Sequence, residues 1–187
     1  YPKIKKEAQK ENAEIHWGDE MGIRSDDQVG RSFSKKGKTP VIKKSGKRFK
    51  CNMISTVSNT GKNRFMIYQD SFTVEVFLKF LRRLIYKSDR KIYLIVDNLK
   101  VHHAYKVQDW LEKHKDKIQI FYLPPYAPEL NPDELLNQDV KSNANKHKKP
   151  KNIEQLKKSL KSYMFKIQKS PNKITNFFKK KEVAYAA

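Results

Sequence analysis

KIYLIVDNLKVHHAYKVQDWLEKHKDKIQIFYLP, residues 91–124, decides the fold class. KIYLIVD (91–97) is a short uninterrupted apolar run, the pattern of a strand covered on both faces. AYKVQDWLEKHK (104–115) puts Val107, Trp110 and Leu111 on one helical face, and KIQIFYLP (117–124) reads as the next strand. A strand–helix–strand crossover of this length makes the two strands parallel neighbours in one sheet.

Upstream, AEIHWGDEMGIR (13–24) alternates as a half-buried strand does. Ile15, Trp17, Met21 and Ile23 share one parity with Asp19, while Glu20 falls on the Gly18/Gly22 side. KKGKTP (35–40) reads as a turn. FKCNMISTVS (49–58) and NRFMIYQ (63–69) flank the Gly-containing SNTGK and predict an antiparallel hairpin. In TVEVFLKFLRRLIYK (73–87), Val74, Phe77, Leu78, Leu81, Leu84 and Ile85 recur at helical spacing behind Thr73 as N-cap. Downstream, Pro124, Pro125 and Pro128 exclude regular structure. Asn131 is placed to cap a helix with Pro132 at its first position and Asp133 and Glu134 in its first turn. IEQLKKSLKSYMFKI (153–167) is a further amphipathic helix. The pattern predicts an α/β fold: a mixed sheet of about five strands with helices on both faces.

The chain has 41 Lys+Arg against 20 Asp+Glu, a formal charge of +21. That balance points to a polyanionic partner, above all nucleic acid. No apolar run approaches the ~20 residues of a membrane span, and no signal peptide opens the sequence, so an intracellular setting is expected. Cys51 is the sole cysteine, which excludes an internal disulfide. The opening YPKIKKEAQKENA is polar and Lys-rich, and residues 1–12 read as a lead-in to a missing upstream part. From residue 141 onward, 14 Lys face only Glu154 and Glu182, so residues 147–187 read as a basic helix with a flexible end. Residues 13–146 form the body between them.

Within so basic a chain the acids invite a reason. Asp97 ends a hydrophobic strand where the chain leaves the sheet, the place where α/β folds gather ligands. Asp-Asn is equally a turn former. Asp19 is an ionisable group among apolar neighbours of its own parity, costly unless compensated. Behind the proline loop stand Glu129, Asp133, Glu134 and Asp139. Glu129 belongs to the loop, and Asp139 lies more than a turn beyond the helix start. Asp133 and Glu134 point about 100° apart. If Leu135 and Val140 lie against the sheet, Glu134 reaches its edge, but spacing leaves Asp133 open. Carboxylates gathered this way suit Mg²⁺, and two such ions about 4 Å apart can clamp an in-line phosphoryl displacement.

IHWGDE, IVDNLKVHHA and LPPYAPELNPDE resemble the catalytic domain of the mariner superfamily of DDE transposases, in the bacterial insertion-sequence branch of the IS-six-thirty type. The third segment is the most specific, and the similarity runs from Glu14 to Lys146. The resemblance implies a ribonuclease-H-like fold and a triad binding two Mg²⁺ ions, with Mn²⁺ as a substitute. Residue by residue, the triad falls on Asp19, Asp97 and Glu134, with 36 residues between the last two. It thereby selects Glu134 over Asp133. Asn98 and His102 become accessory candidates, His102 matching the histidine after the second Asp. Lys35, Lys36, Lys38, Lys100, Lys141, Lys146, Lys148 and Lys149 become candidates for holding DNA.

The implied reaction is cleavage at transposon ends followed by strand transfer into target DNA at TA sites, by a homodimer on DNA in the bacterial cytoplasm. The other readings are an inert remnant that only binds DNA, a ribonuclease-H-like nuclease, and a plain basic nucleic-acid-binding protein. Two departures stand out. Asn137 replaces an aromatic that often follows the final acid. Nor does a helix-turn-helix module precede Tyr1, so recognition of the ends is expected from missing sequence or a partner chain.

Overall fold

β4 (Ile92–Val96) is buried along its whole length and lies inside a five-stranded sheet. The computed structural model describes residues 1–27, 33–38, 48–86, 88–125, 127–145 and 150–187. With β1 (Glu14–Arg24), β2 (Lys50–Val57), β3 (Asn63–Tyr68) and β5 (Ile118–Tyr122), the strand order is β3-β2-β1-β4-β5. The hairpin strands pair antiparallel with each other and β2 pairs antiparallel with β1. β4 runs parallel to both β1 and β5, as the crossover predicts.

Two apolar layers explain why β4 shows no alternation. Leu94 and Val96 face α2 (Val74–Ile85) and α3 (Tyr105–Glu112), packing with Phe77, Leu81 and Val107. Ile95 faces the other way, toward α4 (Pro132–Asn143), α5 (Ile153–Gln168) and α6 (Pro171–Phe177). Trp17, Met21 and Ile23 of β1 join that second layer, as their parity predicts. Leu156, Leu160, Met164 and Ile167 bury one stripe of α5 there. Burial stabilises each such side chain by roughly 1.5–3 kcal/mol. Packing, rather than the propensity of a Lys-rich segment, therefore holds α5 in place.

Three expectations are corrected. The lead-in is helical: α1 (Pro2–Lys10) packs Ile4 and Ala8 against Ala13 and Tyr93. The chain end is also built into the fold, because Ile174, Phe178 and Ala186 belong to the same core as Trp17. Their apolar residues are too widely spaced among lysines to register as a periodic signal. Finally, α4 buries Leu136, not Leu135, together with Asp133, Asn137 and Val140. Lys146, Lys148, Lys149 and the Thr39–Pro40 end of the KKGKTP turn lie outside the described residues.

Gly61 joins the β2–β3 hairpin to α6. It sits at φ +85°, and a Cβ there would lie 2.8 Å from Pro171 Cβ and 2.9 Å from its carbonyl oxygen. Left-handed backbone costs an L-residue roughly 1–2 kcal/mol, and overpacking adds about 1–3. Gly61→Ala is expected to lower Tm by about 5–15 °C, at roughly 2–4 °C per kcal/mol for a chain of this size. A change under about 2 °C in a melting experiment would mean the hairpin and α6 are not in this contact.

The start of β1 holds a buried acid. Glu14 is hydrogen-bonded to His16 Nε2 at 3.4 Å and accepts from Lys62 Nζ. Those two partners, His16 foremost, outweigh burial and bring the Glu14 carboxyl down to about 2. A depressed carboxyl stabilises the fold above its unfolded pKa, and the benefit is lost as pH falls through the folded value. Glu14→Gln is therefore expected to cost about 1–3 kcal/mol at pH 7 and to flatten the loss of stability between about pH 4.5 and 2. Parallel acid titration curves for the two proteins would contradict this.

Candidate active site at the carboxyl end of the sheet

β1 and β4 align Trp17 with Ile95. Carrying that register two residues further sets Asp19 beside Asp97, where β4 gives way to the loop. Asp19 keeps the parity of Trp17 and Met21, on the face that α4 covers.

The third element is brought in by its own cap. The Asn131 side chain accepts from the Asp133 N–H at 3.1 Å and donates to the Gly18 carbonyl at 3.0 Å. One residue thus starts α4 and ties it to the backbone just before Asp19. The first turn then divides its two acids. Asp133 points into the sheet, fully buried, and accepts from Ser55 Oγ at 2.7 Å. Ser55 is the β2 partner of Asp19. Glu134, 100° around the helix, lines a cavity of about 410 Å³ together with Asp19 and Asp97. Asn98, Leu99, Leu123 and the proline loop complete its walls. One turn beyond Asp133, buried Asn137 donates from Nδ2 to Asp19 Oδ2 at 2.8 Å.

The carboxyls differ in charge state. Burial, then Asp133, Glu134 and Glu20, push Asp19 up to about 9. Burial also drives Asp133 well above the carboxylate range, despite the Ser55 hydrogen bond. Burial raises Asp97 too, but His102 and the Leu99 N–H outweigh it and hold that carboxyl below its ordinary value. Burial and the crowded acids thus favour the protonated form of Asp19 near neutral pH, with no cation among the residues lining the cavity to oppose them. A divalent cation would balance them. The charged side chains lining the cavity are all carboxylates, the oxygen donors that hard ions such as Mg²⁺ prefer. The site's residues fit such an ion.

Among the described residues one trio of potential ligands has its ligand atoms within 4.8 Å of one another, Glu20, Asp97 and His102, and it shares only Asp97 with the three acids of the cavity. His102 is buried, with Nδ1 3.0 Å from the Asp97 carbonyl oxygen and 3.2 Å from its Oδ1. Its Nε2 lies 3.0 Å from Glu20 Oε1. Burial opposes the charge, yet the two carboxylates raise the imidazole to about 9. An imidazolium donates from both nitrogens, here one to each carboxylate. His102 is thus a cationic brace behind Asp97, wedged against Phe77 with ring centres 4.6 Å apart.

Asp19, Asp97, Glu134 and Asn98 meet on the cavity, and His102 stands behind it. Asn98 joins the two strand exits by donating to the Leu123 carbonyl at 2.7 Å. Lys100 is exposed just beyond the wall residue Leu99, Lys35, Lys36 and Lys38 sit in an exposed turn, and Lys141 is exposed near the end of α4. Ser55 escaped the sequence reading, which noted Glu20 only for its parity opposite Asp19, left Asp133 open beside Glu134, and met Asn137 only as a departure from the family pattern.

Asn137 holds one Asp19 oxygen, while its own Oδ1 is buried without a partner among the described residues. Removing an outer-shell partner of a ligand typically costs 10–100-fold in metal affinity. Asn137→Ala is expected to weaken Mn²⁺ binding by about that factor in calorimetric titration, with Tm little changed. Unaltered affinity would reduce Asn137 to a packing residue.

The family model described as DDE superfamily endonuclease matches residues 14–157. The chain belongs to the DDE superfamily endonucleases. Over 160 residues this endonuclease domain is 26% identical to the insertion element IS630 uncharacterized 39 kDa protein of Shigella sonnei, covering 84% of the chain and 46% of that protein. The domain thus spans under half the length of that relative. Its fold is similar to the Mos1 transposase paired-end complex with left transposon end, with TM-score 0.67, 17% identity, and 99% of this chain and 59% of that chain covered. The catalytic domain of Mos1 mariner transposase superposes with TM-score 0.60 and 16% identity, over 99% of this chain and 89% of that one. The endonuclease domain has the ribonuclease-H-like architecture of the Mos1 catalytic domain. No described helix of the domain is long and apolar enough to cross a membrane.

Proposed function

We propose that this domain cuts DNA at transposon ends and joins the freed 3′-OH to target DNA at TA sites, with Asp19, Asp97 and Glu134 as ligands for two Mg²⁺ ions, replaceable by Mn²⁺. The observation that carries the reading is that these three acids, from β1, the β4 exit and the first turn of α4, line one cavity. Bound there, the ions supply activation of the attacking hydroxyl and stabilisation of the departing oxygen. The chain's own residues do the rest. His102 keeps Asp97 ionised and oriented, Asn137 fixes one oxygen of Asp19, and the Asn131 tether holds Glu134 over β1. Lys100, next in sequence to the wall residue Leu99, and the exposed lysines at 35, 36, 38 and 141 suit phosphate contacts, along with Lys146, Lys148 and Lys149. Two transposon ends call for two such domains, hence a homodimer on DNA. End recognition belongs to other sequence in the full-length protein or to a partner chain, acting in a bacterial cytoplasm.

The test is a strand-transfer assay with the full-length protein carrying this domain, a labelled transposon end and a TA-containing target, in Mg²⁺ and in EDTA. Mg²⁺-dependent products joined at TA bear the proposal out. Cleavage without joining would replace it with a nuclease, and salt-sensitive binding with neither product would leave an inert DNA-binding remnant.

A further inference from the structure

β3 is the last strand of the sheet on its side, so its outer edge has no neighbouring strand among the described residues. α2 lies on one face and α5 on the other. Residues of both helices, together with residues 64–69 of β3 and its end, line a groove of about 800 Å³.

The hairpin register shows which backbone groups face that groove. Ser58 N–H donates to the Lys62 carbonyl at 2.9 Å, so Ser58 and Lys62 form a hydrogen-bonded pair. Alternation then makes Thr56–Arg64 and Ile54–Met66 bonded pairs and turns the N–H and C=O of Asn63, Phe65 and Ile67 outward. One of these groups already has a partner, since Gln168 Nε2 of α5 donates to the Asn63 carbonyl at 3.0 Å. Among the described residues no hydrogen-bond partner meets the outward groups of Phe65 and Ile67.

The charge of the walls specifies what completes it. Arg64, Arg83, Lys157, Lys158 and Lys161 face the groove against a single acid, Glu154. Glu154 is taken up by Lys157 at 3.2 Å. Among the described residues no carboxylate lies within 4.0 Å of the Arg64, Arg83, Lys158 or Lys161 cations. A second copy, itself at +21, would add repulsion. The phosphodiester backbone of DNA offers acceptors to the lysines but, unlike a polypeptide backbone, no regularly spaced N–H donors for the outward carbonyls.

We propose that the β3 edge is a docking site for an extended acidic polypeptide segment of a partner protein, which adds as a sixth strand between α2 and α5. Backbone pairing with Phe65 and Ile67 supplies the register, and acidic side chains meet the lysines of α5 and the two arginines. This surface is separate from the acid cavity, so the inference stands apart from the reaction proposed above.

The test uses fluorescence anisotropy with three labelled probes: a hexapeptide alternating Glu and Val, its Lys/Val counterpart, and a hexameric oligothymidylate. The acidic peptide is expected to bind saturably, at least tenfold tighter than either other probe. N-methylating its alternate backbone nitrogens is expected to weaken it at least tenfold, with the protein untouched. Ile67→Pro removes one outward N–H at a position edge strands tolerate, and Lys158→Glu with Lys161→Glu removes the charge. Each is expected to weaken binding at least tenfold. No saturation by the acidic peptide up to about 1 mM, or indifference to N-methylation, would overturn the proposal. Tighter binding of the oligonucleotide would overturn it in favour of a nucleic-acid groove. Mg²⁺-dependent cleavage by the Lys158→Glu, Lys161→Glu protein reads the acid cavity separately.

Discussion

Asp97→Ala and Glu134→Gln are each expected to lower Mg²⁺-dependent DNA cleavage by at least about 10³-fold, while duplex binding in EDTA changes by less than about threefold. Loss of one preorganised group that stabilises transition-state charge already costs about 10²–10³. A metal ligand does more, because it also positions the ion that orients both oxygens. Asp97→Ala has a second consequence: it strips the buried His102 cation of one of its two carboxylates, leaving Glu20 alone to balance it. Glu134→Gln keeps shape and removes only charge, so it tests ligation most cleanly. Glu20→Gln serves as the comparison, since Glu20 contacts His102 from the far face of β1. A Glu134→Gln protein within tenfold of wild type would remove Glu134 from the ligand set. A Glu20→Gln protein as inactive as Asp97→Ala would shift the metal toward the Glu20–Asp97–His102 grouping.

The second large effect runs against intuition: Asp19→Asn is expected to abolish cleavage and yet raise the Tm of the metal-free protein. The folded-state pKa of Asp19 is about 9, against an unfolded value near 3.9. Between these values the folded chain holds a proton that the unfolded chain has released. Stability therefore falls as pH rises from about 4 toward 9. Asparagine carries no such penalty and keeps an oxygen for the Asn137 amide. In EDTA at pH 8 the gain is about 2–4 kcal/mol, or roughly 5–15 °C, shrinking toward nothing near pH 4. Mg²⁺ should narrow the gap by stabilising only the wild type, by about 2.7 kcal/mol at a hundredfold excess over Kd. Thermal melts with and without Mg²⁺ at pH 4, 6 and 8 check all three points. A Tm below wild type at pH 8 would show that the Asn137–Asp19 hydrogen bond outweighs charge crowding.

Much of the architecture was legible because its signals are local. The apolar run of β4, the spacing of Val107 and Trp110, the Gly-containing hairpin and the Thr73 cap each depend on neighbours a few residues away. The same holds for Asn131 and Pro132 at the start of α4. Asp19 and Asp97 could be suspected from position alone, one among apolar residues of its own parity, the other at a strand exit.

The amino-acid order thus determined by itself the five strands and helices α2 to α5, that β4 and β5 run parallel, and that this +21 chain carries acids where loops leave the sheet. Only the tertiary structure decided how α4 is rolled. One residue is 100° of rotation, so the choice of Leu136 over Leu135 as the buried contact is what sends Asp133 into the sheet and Glu134 into the cavity. It also decided that His102 would span from Glu20 to Asp97, and that the lysine-rich chain end would finish the core beside Trp17. Ser55–Asp133, Glu20–His102 and Trp17–Phe178 lie 78, 82 and 161 positions apart, and such contacts follow from the sum of all packing rather than from any local pattern.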